Sequence, residues 1–246
     1  MSVTTAAIDK IKRMIVSGQV SPGDKLPREK ELAEALGLSR NSLREAVRAL
    51  AALRVLEVRQ GDGTYVTSLT PEMLLDVIGF GMELVKDPSL LEVFEVRRLL
   101  ETAATAAATR RITQEDLVAL RSCMARMDAA RSIEELVKVD EEFHHIVASA
   151  TGNSVLVALL DNLSSRTLRA RLWRGVVDSG VVEKTKQWHH AILQGIEARD
   201  PQIARAADLM HIVEGESWLR RALGDNEIPV DLRRSDGPAA ASDEEE

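Results

Sequence analysis

From residue 71 to about residue 222 the sequence runs through one helical pattern after another, with no convincing strand. Apolar residues recur three and four apart over roughly 71–85, 89–109, 114–130, 133–150, 154–173, 180–199 and 201–222. Breakers fall between these stretches: Asp87-Pro88, Thr113, Ser132, Gly152-Asn153, Gly175 and Asp200-Pro201. Helices with one apolar face bury it against one another, so the spacing predicts an all-α bundle. Ser132-x-x-Glu135 fits a capping box, and Thr113-x-x-Asp116 fits one less well. The tail from Gly224 ends in Ser-Asp-Glu-Glu-Glu, has few apolar residues, and reads as a disordered acidic segment over 224–246.

The first 70 residues read differently. Ile8, Ile11, Ile15 and Val16 lie at helical spacing, and Gly18 and Ser21-Pro-Gly-Asp24 break the chain. A short helix follows Pro27 and ends at Gly37, and Ser39 is placed to cap a third helix reaching about Leu53. Val55–Arg59 and Thr64–Thr67 then read as two short strands around Gly61-Asp62-Gly63. Helix, helix, turn, helix and a two-stranded wing is the order of a winged helix-turn-helix, in which the last helix enters the major groove. That helix has Leu43, Val47 and Leu50 on one face and Arg40, Arg44 and Arg48 along another. A solvated cationic face on a core helix has the same pattern, and the capped turn before it and the Gly-rich hairpin after it favour DNA. Charge agrees: residues 1–70 hold 11 Lys and Arg against 8 Asp and Glu, while the remainder holds 21 against 31, within a chain of net charge −7.

Residues 23–66 resemble the DNA-binding domain of the GntR family of bacterial transcription regulators. The likeness rests on Leu26-Pro27, Glu31-Leu32-Ala33, Leu36-Gly37, Ser39-Arg40, Arg44-Glu45-Ala46, Leu50 and Gly61-x-Gly63-Thr64. It implies operator contacts from Arg40, Arg44 and Arg48, a further basic contact from Lys30, polar contacts from Ser39, Asn41 and Ser42, and approach of Gln60 and Gly61 to the minor groove. Three positions depart from the family pattern. Arg28 replaces a small hydroxyl residue, Asn41-Ser42 replaces Thr-Pro, and Arg54 stands where glycine is usual, which implies strain if that backbone needs positive φ.

The helical body has five histidines to account for across the whole chain. Asp140 and His144, four apart, fall within the apolar stripe of Leu136, Val137, Phe143 and Val147. His189 precedes Ile192, Leu193 and Ile196, and His211 shares a face with Ala204, Ala207 and Trp218. His145 and His190 fall on outer faces. A single inward histidine is usually a hydrogen-bonded core residue, but four ionisable groups facing one interior need a common partner. Imidazole and carboxylate suit a divalent ion, zinc first, with nickel, manganese or iron as alternatives.

Residues 90–220 resemble the all-α effector domain of the FadR subfamily of GntR regulators, the FCD domain. The likeness covers Phe94–Glu101, Asp140 to His144, Ala150–Asn153, His189–Asp200 and the region ending at His211. It implies that Asp140, His144, His189 and His211 hold a divalent metal beneath an effector pocket, and that Arg97 pairs with an effector carboxylate. An interhelical salt bridge is the plain alternative for Arg97, and Arg166 is a second candidate for the carboxylate.

These readings give a mostly α chain: a winged helix-turn-helix over 1–70 and an all-α effector and dimerisation domain over 71–223. The expected function is a DNA-binding regulator, a homodimeric repressor on a short palindrome of double-stranded DNA, controlled by a small organic acid near the metal. A regulator with a purely structural metal and another effector is the alternative. A metalloenzyme is disfavoured, since there is no His-Glu-x-x-His and no general base beside the ligands. One cysteine, Cys123, excludes an intrachain disulfide, and no apolar run approaches the roughly 20 residues that span a bilayer, so a bacterial cytoplasm is expected.

Overall fold

The computed structural model describes residues 3–71, 73, 90–178 and 180–224. The chain divides into two compact units, residues 1–80 and 81–246. The helix expected over 71–85 lies outside the described residues, apart from Pro71 and Met73, which are helical, and so does the tail beyond Gly224.

In the first unit α1 (Val3–Val16), α2 (Glu29–Leu36) and α3 (Arg40–Ala52) precede β1 (Leu56–Arg59) and β2 (Gly63–Val66). The turn between α2 and α3 follows from its residues. Gly37 takes the left-handed conformation at φ 60°, and its N–H reaches the carbonyls of Ala33 and Glu34. Two residues later Ser39 caps α3, its side chain accepting from the Ser42 N–H. Ile11, Leu32, Leu43, Ala46, Leu50 and Leu56 join these elements in one buried core. The wing is antiparallel, with Leu56 opposite Val66 and Arg59 opposite Gly63. A third extended segment, absent from the sequence reading, runs beside it: Leu26 N–H donates to Thr64 O and Val66 N–H to Asp24 O. Arg54 has φ 53°, so the position where the family pattern has glycine does demand left-handed backbone, at roughly 1–2 kcal/mol for a residue with a Cβ.

The second unit is helical throughout its described residues: α4 (Leu90–Arg111), α5 (Gln114–Ala129), α6 (Ile133–Ser149), α7 (Ser154–Val177), α8 (Val181–Glu197) and α9 (Pro201–Gly224). Helix α9 packs on α4 and α8, and α6 packs on α5 and α7. One apolar core, around Leu120, Met127, Phe143, Ile192 and Ile196, lies toward one end. Another, around Leu90, Phe94, Ile212, Trp218 and Leu219, lies elsewhere in the unit.

Two local expectations are corrected. Thr113 and Asp116 make the complete reciprocal box, whereas Glu135 turns its carboxylate to the Arg131 N–H, leaving Ser132 as a simple cap. The shorter Asp side chain closes the box, while the longer Glu side chain reaches past it. Gly175 does not break a helix: α7 continues to Val177, and a Cβ at Gly175 would lie 2.0 Å from Ile133 Cγ1. The glycine serves close packing.

Gly195 serves it more directly. A Cβ there would lie 2.5 Å from the backbone N of Ala204. Helices α8 and α9, which hold His189 and His211, approach each other through this gap. Gly195→Ala is expected to destabilise the protein by about 1–3 kcal/mol, the usual cost of overpacking; an unchanged denaturation midpoint would contradict the close approach.

Candidate functional site

The first unit presents a cationic surface. Arg40, Arg44 and Arg48 are exposed along α3, while Leu43, Ala46 and Leu50 are buried on its other side. Lys30, Asn41, Gln60 and Gly61 are exposed as well. Ser39 and Ser42 are partly occupied by the cap, with their hydroxyls 2.8 Å apart. Arg44 Nε donates to Glu29 at 2.9 Å and Arg48 to Glu45 at 3.1 Å. Both pairs are exposed and worth about 0–1 kcal/mol each, so a phosphate or a guanine edge can displace the carboxylate.

A cleft between α3 and the wing is lined by Lys25, Arg28, Arg44, Arg48, Arg59 and Gln60, among others. Among the described residues, the Arg28 and Arg40 guanidinium groups have no hydrogen-bond or ion-pair partner. Arg59 lies over the Tyr65 ring at 4.2 Å, and the Tyr65 hydroxyl donates to Asp62, which also pairs with Lys25 at 2.6 Å. Arg28 was noted in the sequence only as a departure; Lys25 and Arg59 were missed because nothing in their spacing marks them.

In the second unit α6 supplies Asp140 and His144, α8 supplies His189 and α9 supplies His211. One donor atom from each lies within 4.8 Å of the others. The three imidazole centroids are 4.6–5.2 Å apart. Asp140 is 4% exposed and His189 is fully buried.

The protonation pattern of these groups fits a cation. His189 Nδ1 lies 2.8 Å from the Thr185 carbonyl, which can only accept, so Nδ1 holds the ring proton. In the neutral ring Nε2 is then a bare lone pair, 3.2 Å from Asp140 Oδ1. Two lone pairs facing each other in a buried site repel unless a cation stands between them. The Nε2 atoms of His144 and His189 are both buried without a hydrogen-bond partner. Burial pushes His144 down to about 3 and His211 well below the usual histidine range, so both rings are neutral near pH 7. Burial pushes Asp140 the other way, but Arg171, His189 and His144 together hold it well below the usual carboxylate range. One carboxylate and neutral imidazoles are the donor set of a divalent ion.

Comparison with known proteins agrees with both units. Residues 4–66 match the family model described as bacterial regulatory proteins, gntR family, and residues 92–214 match the FCD domain. The chain is 30% identical over 212 residues to the HTH-type transcriptional regulator LutR of Bacillus subtilis, which spans 84% of this chain and 96% of that protein. It is 31% identical over 226 residues to the galactonate operon transcriptional repressor of Escherichia coli, with coverage of 89% and 98%. The solved structure of Streptococcus agalactiae GntR superposes with a TM-score of 0.64 at 29% identity, covering 88% of this chain and 99% of that one. The chain belongs to the GntR family.

As a GntR regulator of the FadR-type subfamily, it is a DNA-binding transcription regulator with an FCD effector-binding domain, and not an enzyme. Among the described residues, no helix is long and apolar enough to cross a membrane.

The regulator's second unit holds three charged groups that sequence reasoning missed, Glu101 and Asp208 buried and Arg171 partly so. Arg171 on α7 donates to Asp140 and, at 2.9 Å, to Glu141. Glu101, one turn from Arg97, takes that guanidinium at 2.5 Å and 3.2 Å, and Thr167 accepts a third bond from it at 2.7 Å. Arg97 is thus an intrahelical ion pair rather than an interhelical one. Asp208 accepts from Thr105 at 2.7 Å, and burial next to Glu101 pushes it up to about 7. Arg166, half-buried and bonded to Asn162, is not among the described residues that line the two cavities beside the histidines. Thr167, Ala170, Arg171 and Arg174 follow the inner face of α7 at helical spacing, and Arg166, one turn before Ala170, falls at the edge of that face.

Arg171→Ala leaves the Asp140 carboxylate buried without its guanidinium, a loss of about 3–5 kcal/mol. The expected destabilisation in chelator-treated protein is of that size, and smaller once a divalent ion is added, because the ion supplies the missing positive charge. Equal destabilisation with and without metal would contradict the site.

Proposed function

We propose that this regulator is a homodimeric repressor whose hold on a short palindromic operator is set by a small organic acid bound beside a divalent metal. Asp140, His144, His189 and His211 would hold the ion, zinc first by donor type, with nickel, manganese or iron as alternatives. The ion supplies a Lewis-acid contact for a carboxylate. Arg97 and Arg171, which line the same cavity as Asp140 and His211, would orient that carboxylate through their remaining N–H donors. The observation that carries the reading is the pair of buried, unpartnered imidazole nitrogens beside the ionised Asp140.

In the first unit, Arg40, Arg44 and Arg48 would meet bases and phosphates in the major groove, with Lys30, Ser39, Asn41 and Ser42 beside them and Gln60 and Gly61 at the minor groove. The name of the Escherichia coli relative supports repression, and a bacterial cytoplasm is the compartment proposed. An acid changes operator affinity only by favouring one arrangement of the dimer over another.

The test uses a duplex selected from a randomised double-stranded library with the metal-loaded protein. Arg44→Ala should bind that duplex about 10-fold or more weakly while keeping the native helical spectrum, since a bidentate base contact is worth roughly 1–3 kcal/mol. Unchanged affinity would remove Arg44 from the interface. A carboxylate that binds the metal-loaded protein should shift the duplex Kd; binding without any shift would leave the metal structural and the effector elsewhere.

A further inference from the structure

Two cavities flank the histidine cluster, and their walls differ in charge. Among the described residues, the larger, about 350 Å³, is lined by four carboxylates, those of Glu101, Glu141, Glu142 and Asp161, and by no lysine or arginine. The smaller, about 60 Å³, reaches Asp140 and His211 and is lined by Arg97, Arg171 and Arg174. Glu101 pairs with Arg97 and Glu141 with Arg171, so these pairs turn their acceptor side to the first cavity and their donor side to the second, where an organic anion finds N–H groups.

The small cavity limits what that anion can be. A buried water needs roughly 10–15 Å³ of such space, so about four to six fit, and a ligand has room for a similar number of heavy atoms. Away from the arginines and the metal ligands the wall is apolar, built by Phe94, Ile133, Leu136, Val137, Ile212 and Trp218. Thr185 is the one neutral hydroxyl residue in the lining. The arginines have few donors to spare: Arg97 is engaged by Glu101 and Thr167, Arg171 by Asp140 and Glu141, and Arg174 by Asp178 and Glu214. A sugar acid would bury several hydroxyls against carbon with no partner for most of them.

We infer that the effector is a short aliphatic monocarboxylate of about two to four carbons, its carboxylate toward Asp140 and His211 and its alkyl part against Phe94, Val137 and Trp218. Polyhydroxylated six-carbon acids are excluded by size and by the apolar wall. This rests on the organic-acid reading above and adds the class of acid.

The experiment is a thermal-shift titration of the zinc-loaded full chain with acetate, propionate, butyrate and isobutyrate, with isovalerate as the longer acid, set against gluconate and glucuronate, in the native protein and in Val137→Ala. Ligands that bind the folded state raise its melting temperature by mass action. The short acids should bind at least about 100-fold more tightly than the sugar acids. In Val137→Ala, which removes two methyl groups from the wall, the preferred acid should lengthen by one or two carbons. A sugar acid that binds more tightly than every short acid overturns the inference and leaves the organic-acid reading standing. An unchanged chain-length preference in Val137→Ala also overturns it, because the acid then sits elsewhere. If neither class binds, the organic-acid reading falls and the inference falls with it.

Discussion

A carboxylate at 4% exposure inside a helical bundle is tenable only among opposite charges, and Asp140 is such a group. Its neighbours are arranged around that need. Arg171 reaches it from α7, while His189 and His211 reach it from α8 and α9. The helices bringing those groups together depend on the close pass of α8 over α9 at Gly195. Around this centre lie a second buried pair, Arg97 with Glu101, and an Asp208 pushed up to about 7 by burial and by the Glu101 charge. A divalent ion among Asp140 and the histidines would satisfy the lone pairs that otherwise face one another.

The two units use charge in opposite ways. In the helical unit the pairs around the site, Arg97–Glu101 and Arg171–Asp140, are buried or nearly so, and breaking one leaves a charge stranded. In the winged unit Arg44–Glu29 and Arg48–Glu45 are exposed and weak, so their arginines are held loosely in position and released to a stronger anion at little cost. The first arrangement suits a site that holds one geometry, and the second suits a surface that exchanges partners.

The architecture was legible in the sequence because caps and breakers mark its boundaries: helix boundaries from Leu90 onward fall within a few residues of those read from spacing and breakers, and Ser39, Gly37 and the wing fall in place. Asp140, His144, His189 and His211 were legible because each shares a phase with apolar neighbours. Arg171, Glu101 and Asp208 were not, because a charged residue on a mixed face looks like a solvated one until its partner on another helix is known. Arg171 went unmarked beside Arg166 because α7 has no clear apolar stripe to fix which of its arginines faces inward. Gly175 was misread as a breaker because the sequence cannot tell a glycine that ends a helix from one that admits Ile133.

The central claim is that the four converging side chains form a metal site. Calorimetric titration of zinc into chelator-stripped protein tests it most directly. The account predicts saturable binding of about one ion per chain, with little or no proton release from His144, His211 or Asp140, because those two imidazoles are already neutral and the carboxylate already ionised. No saturable binding, or identical binding after His189→Ala, would contradict it.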